Sequence, residues 1–76
     1  MEKEIIKINT EFIKLNAFLK FCGEAESGAD ANFMIENGEI SVNNETQTSK
    51  RKKLYDGYEI KAGGKIYIIK TEKSGD

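Results

Sequence analysis

The stretch LNAFLKFCGEAESGADANFMIENGEISV, Leu15 to Val42, decides the fold because its hydrophobic spacing changes partway along. Leu15, Phe18, Leu19 and Cys22 recur at i, i+3, i+4 and i+7, one face of an amphipathic helix, and Gly23 can end it in the left-handed conformation. The spacing predicts helix one from about Lys14 to Cys22. Ser27 is a good N-cap, after which Ala31, Met34 and Ile35 keep helical spacing until Asn37-Gly38 stops them. Helix two is expected from Gly28 to Glu36. Beyond Gly38 the period becomes two, with Ile40 and Val42 alternating against polar neighbours, and Asn43-Asn44 supplies residues that tolerate positive φ. A strand, a tight turn and a second strand over Glu45 to Thr48 follow.

Upstream, Glu4 to Asn9 is β-branched, with Ile6 and Ile8 on one side and Ile5 and Lys7 on the other. Downstream, Tyr55-Asp56-Gly57 is a turn signal, Tyr58 to Lys61 a strand, Gly63-Gly64 a turn, and Lys65 to Thr71 a final strand. The order strand, helix, helix, several strands specifies a small α+β domain over 1–71 with a flexible tail over 72–76. Leu15, Phe18, Leu19, Ala31, Met34, Ile35, Ile40, Val42, Leu54 and Ile60 are its expected core.

With 76 residues there is room for one domain, near the lower size limit for a self-supporting core. No His and a single Cys exclude histidine triads, histidine zinc sites, Cys-x-x-Cys pairs and disulfide frameworks. No cofactor, metal site or catalytic residue is expected. The longest apolar run, Ile66-Tyr67-Ile68-Ile69, is far short of the roughly 20 residues of a membrane span. Met1-Glu2-Lys3-Glu4 lacks a secretory layout, so the chain reads as cytoplasmic and Asn44-Glu45-Thr46 as a turn rather than a glycan acceptor. Gly23 and Gly28 have phosphate-loop spacing, but Ala29-Asp30 follow where Lys and Ser or Thr are needed. The carboxylate pairs Glu24/Glu26 and Glu36/Glu39 read as solvated surface, and Cys22 as core filler.

Twelve bases against 13 acids give a net charge of −1, but the distribution is lopsided. From Phe21 to Ser49 there are acids and no base; then comes Lys50-Arg51-Lys52-Lys53. Four adjacent cations repel one another and gain from proximity only when a polyanion is present, although such runs also serve solubility. Phe33 lies to one side of the helix-two stripe, free either to stack on a base or to pack against a partner.

These pieces, Lys14-Leu15-Asn16-Ala17-Phe18-Leu19-Lys20, then Ser27-Gly28-Ala29-Asp30-Ala31, then Glu36 to Asn44, then Lys52 to Ile60, together resemble the RNA-binding domain named after ribosomal protein S4. Within that superfamily the chain resembles the small stand-alone YaaA-like proteins. The resemblance implies an αL motif, two short helices packed on a small twisted, mostly antiparallel sheet, that binds structured RNA such as ribosomal or transfer RNA without catalysis. Carried over position by position, it implies RNA contacts at Lys14, Ser27, Gly28, Lys50, Lys52 and Lys53; Lys20, Asn32, Phe33 and Arg51 are further candidate contacts, and the chain is expected to be a monomer.

Several positions depart from the family pattern. Asn32 stands where Lys is usual, Asn44 replaces the turn Gly, Arg51 replaces a common Gly, and Asp30 and Glu36 add negative charge to helix two. Each lost cation removes about one unit of counterion release. The alternative is a protein-protein adaptor that presents the acidic helix and Phe33 to a partner.

Overall fold

The computed structural model describes residues 2–72. The chain runs β1 (Glu2–Ile8), β2 (Ile13–Lys14), α1 (Leu15–Phe21), α2 (Gly28–Glu36), β3 (Ser41–Val42), β4 (Glu45–Thr46), β5 (Lys53–Leu54), β6 (Glu59–Ala62) and β7 (Lys65–Thr71). Five strands form one sheet in the order β1-β7-β6-β3-β4, and β2 and β5 form a separate two-stranded ladder. Every pairing is antiparallel except β1 with β7, where Glu2 to Ile8 run parallel to Lys65 to Thr71. The expected α+β architecture, two helices on a mostly antiparallel sheet, is the one observed.

Local chemistry explains the boundaries. Ser27 caps α2 by accepting a hydrogen bond from the Asp30 N–H at 3.2 Å. Gly23 follows the C-cap of α1 at φ 87°, and Gly38 follows that of α2 at φ 74°. Asn43 and Asn44 adopt φ 52° and 72° in the β3–β4 turn. Lys14 differs from expectation: with φ −78° and ψ 149° it is the extended N-cap of α1 rather than its first helical residue, because it pairs with Lys53 in the β2–β5 ladder.

Leu15, Phe18 and Leu19 of α1 and Ala31 and Ile35 of α2 are fully buried against Ile40, Leu54, Ile60 and Ile69. Each large side chain so buried contributes about 1.5–3 kcal/mol relative to exposure. Of the expected core only Met34 is half-buried, packed against the cluster from its edge with Cys22. Ile6 and Ile8 point inward and Ile5 outward, as their alternation requires.

The link between the helices is pinned from below. The Tyr67 ring meets Phe18 edge-on at 5.7 Å, and its hydroxyl donates to the Glu24 carboxylate. Burial, reinforced by that hydrogen bond, holds the Tyr67 phenol well above its ordinary pKa. Gly63 has φ 59° and lies so close to the Glu24 carboxylate that a Cβ there pushes the carboxylate aside; glycine avoids both that displacement and the left-handed strain. The Asp56-Gly57 turn is likewise fixed to β7, with Asp56 accepting from the Thr71 N–H at 2.8 Å. The Glu72 N–H donates to the Ile8 carbonyl at 2.7 Å. The rest of the expected tail, 73–76, lies outside the described residues. No helix among the described residues is long and apolar enough to cross a membrane.

Candidate nucleic-acid interface

The basic block is held by its main chain. The N–H of Leu15 donates to the Lys52 carbonyl at 2.8 Å and the N–H of Asn16 to the Lys50 carbonyl at 3.1 Å. These are two of the free donors that open any helix, so the start of α1 is satisfied by the loop that carries the cations. The Asn16 side chain takes the next donor, accepting from the Ala17 N–H at 2.8 Å. With the backbone so fixed, Lys14, Lys50, Arg51, Lys52 and Lys53 gather around one helix end.

Their side chains have few partners. Lys50 reaches the Glu36 carboxylate of α2 at 2.8 Å, and Lys53 lies over the Phe12 ring at 4.8 Å. Lys14, Arg51, Lys52 and Lys53 make no ion pair among the described residues. Lys14 and Lys53 are cross-strand neighbours, and like charges directly opposite destabilise a ladder. A bound polyanion removes that penalty.

Asn16, Asn32, Ser49, Lys50 and Arg51 line a shallow depression of about 320 Å³ between the two helices and the basic loop. The Asn32 Oδ1 is buried there without a hydrogen-bond partner among the described residues. Asn32 thus lies in the same depression as Lys50 and Arg51. Ser27 and Gly28 lie at the other end of α2, roughly 12 Å along its axis from Glu36 at 1.5 Å per residue. Lys20 is exposed in the last turn of α1, and Phe33 is 63% exposed on α2; no hydrogen bond or ion pair among the described residues ties either to the basic block.

Aromatic groups not anticipated from sequence flank the ladder. Phe12 and Tyr55 lie 5.8 Å apart, and Tyr55 lies 5.8 Å from Tyr58. A signal was present: Phe12-Ile13-Lys14 and Lys53-Leu54-Tyr55 mirror each other, and antiparallel pairing of Ile13 with Leu54 and Lys14 with Lys53 brings the two aromatic ends together. Chemically the surface offers cations, amides, hydroxyls and π faces. Cys22 adds no nucleophile, since burial pushes its thiol pKa up. Among the described residues no group of His, Cys, Asp and Glu is placed to hold a metal ion.

The S4 domain family matches this chain over residues 6–70, from β1 to β7. The chain belongs to the S4 domain family. It is also 35% identical over 66 residues to the probable ribosome maturation protein RlbA of Bacillus subtilis (strain 168), an alignment that covers 84% of this chain and 93% of that relative. This S4 domain protein is thus similar to a relative that is itself little longer than the domain, in keeping with its resemblance to the small stand-alone members.

Proposed function

We propose that this S4 domain protein is a non-catalytic RNA-binding module, a single domain over 1–71 that takes structured RNA of the ribosomal or transfer type through phosphates and shape. The observation that carries the reading is the seating of the basic loop on the start of α1, which presents Lys14, Arg51, Lys52 and Lys53 without acidic partners among the described residues. The similarity to a probable ribosome maturation protein supports ribosomal RNA over transfer RNA. Family membership supports a role without chemistry of its own.

Titration against structured RNA at several salt concentrations tests this. With four free cations at phosphates, log K should fall linearly with log salt with a slope of about −3 to −4. The absence of saturable binding at low salt overturns the reading. One observation favours the adaptor instead: Phe33 is 63% exposed on a helix that carries Asp30 and Glu36. Loss of capture of a purified protein partner on Phe33→Ala, with RNA affinity nil throughout, identifies that case.

A further inference from the structure

A groove of about 660 Å³ adjoins the basic ladder on the far side of Phe12. Its floor is apolar, built from Ile8, Ile13, Ala17 and the rings of Phe12 and Phe21. Phe21 is 60% exposed, which is costly for a large aromatic on a helix whose other face fills the core. The rim is polar: Lys7, Lys14, Asn9, Thr10 and Glu72. Two features bear on what fills it. Lys14 lines the groove and is also the cross-strand neighbour of Lys53, so groove and basic surface are continuous. Phe12 is their common wall, since its ring carries the Lys53 ammonium at 4.8 Å while it lines the groove.

We propose that the groove seats the base of one unpaired nucleotide of the bound RNA, stacked against Phe12 and Phe21, with its phosphate held by Lys14. The inference rests on the RNA-binding reading and deepens it. A nucleobase matches the floor because every base has an apolar π face that stacks on aromatic side chains whatever its sequence. The rim suits the remaining parts. The Asn9 amide and the Glu72 carboxylate offer donors and acceptors to a base edge, while Lys14 meets the phosphate. Glu72 is itself held by Lys7 at 3.5 Å, which tempers its repulsion of the backbone. The volume lies within the roughly 300–1,000 Å³ of single small-ligand sites. An apolar peptide fits the floor but gains nothing from the cation that joins groove to ladder.

Three RNA hairpins test this: one with a single-nucleotide bulge, its fully paired counterpart, and the bulged hairpin with an abasic residue at the bulge. The base-bearing bulge should bind the full-length protein at least about fivefold more tightly than the other two. Phe21→Ala, which leaves the core intact, should remove that preference without changing the salt slope, and Phe12→Ala should do the same. The Phe12 and Phe21 ring protons should shift upfield only with the base-bearing bulge. Equal affinities for all three hairpins, each with the expected salt slope, overturn the base seat and leave the RNA-binding reading standing. A preference that survives both phenylalanine substitutions, or that the abasic hairpin shares, overturns it as well. No saturable binding by any hairpin overturns the RNA-binding reading itself, and concentration-dependent self-association lost on Phe21→Ala assigns the groove to a second copy of the chain.

Discussion

The two helices begin in opposite ways. At the start of α1 the N–H groups are consumed by the carbonyls of Lys52 and Lys50 and by the Asn16 side chain, so this end is a fastening for the basic loop. At the start of α2 a serine side chain caps one donor, and the N–H groups of Gly28 and Ala29 have no partner among the described residues. The first helix places cations without exposing its own dipole end; the second exposes its dipole end but places Asp30 beside it. Positive potential therefore comes from side chains at one helix and from backbone at the other, and only the side chains respond to a change of charge.

The severest way to break the contrast is to remove the packing both helices share. Leu19→Ala, at a position with no exposure, should cost about 2–5 kcal/mol, read as a loss of cooperative unfolding or a much lower denaturant midpoint. Next, replacing Lys50, Lys52 and Lys53 together by Gln should reduce the salt slope of RNA binding by about two to three units, because the tethering carbonyls survive while the charges go. Unchanged circular dichroism with a lower slope distinguishes this from unfolding.

The link between the helices gives a pH test. Below about pH 10 tyrosine is protonated in both the folded and unfolded chain. Above that the unfolded chain releases the proton while folded Tyr67 keeps it, so its contribution, complete below about pH 10, is lost as pH rises further. Tyr67→Phe should lower stability near neutrality by about 1–2 kcal/mol and flatten the alkaline limb of the denaturant midpoint relative to the parent. Ser27→Ala should cost about 1 kcal/mol at the α2 cap. Lys14→Ala, at the N-cap of α1 where no side chain caps, should leave stability within about 0.5 kcal/mol. The smallest effects belong to α2, at exposed Asp30 and half-buried Asn32. Asp30→Asn and Asn32→Lys should each tighten RNA binding severalfold at low salt, Asn32→Lys adding about one unit of slope. Affinity unmoved by either takes α2 out of the RNA surface.

What the sequence revealed follows from how local each signal is. α2 and the Asn43-Asn44 turn were legible to the residue because cap, stop and positive-φ residues sit inside the segments they define. β2 and β5 were not read as strands, since two residues carry no period and the pairing that makes them strands joins positions far apart in the chain. That missed ladder also moved Lys14 out of the helix and hid the Phe12–Tyr55 contact. Of the candidate RNA contacts, the contiguous basic run was plain from composition. That its main chain fastens onto α1 was invisible, because backbone carbonyls leave no mark on residue type.

The parallel pairing of the first and last strands has a consequence for how the chain comes to be folded. Among the described residues β7 is the one strand that pairs with β1, and most of the polypeptide separates Glu2 from its partner Lys65. On a growing chain β1 is made before β7, and Ile6 and Ile8 stay uncovered until β7 is available to pair. The hairpin of β6 and β7 is local and forms quickly by comparison; joining β1 to it closes the longest loop available and carries the greatest entropic cost. Completion of the sheet therefore waits on β7, and a chain cut before Lys65 leaves β1 with no edge to join.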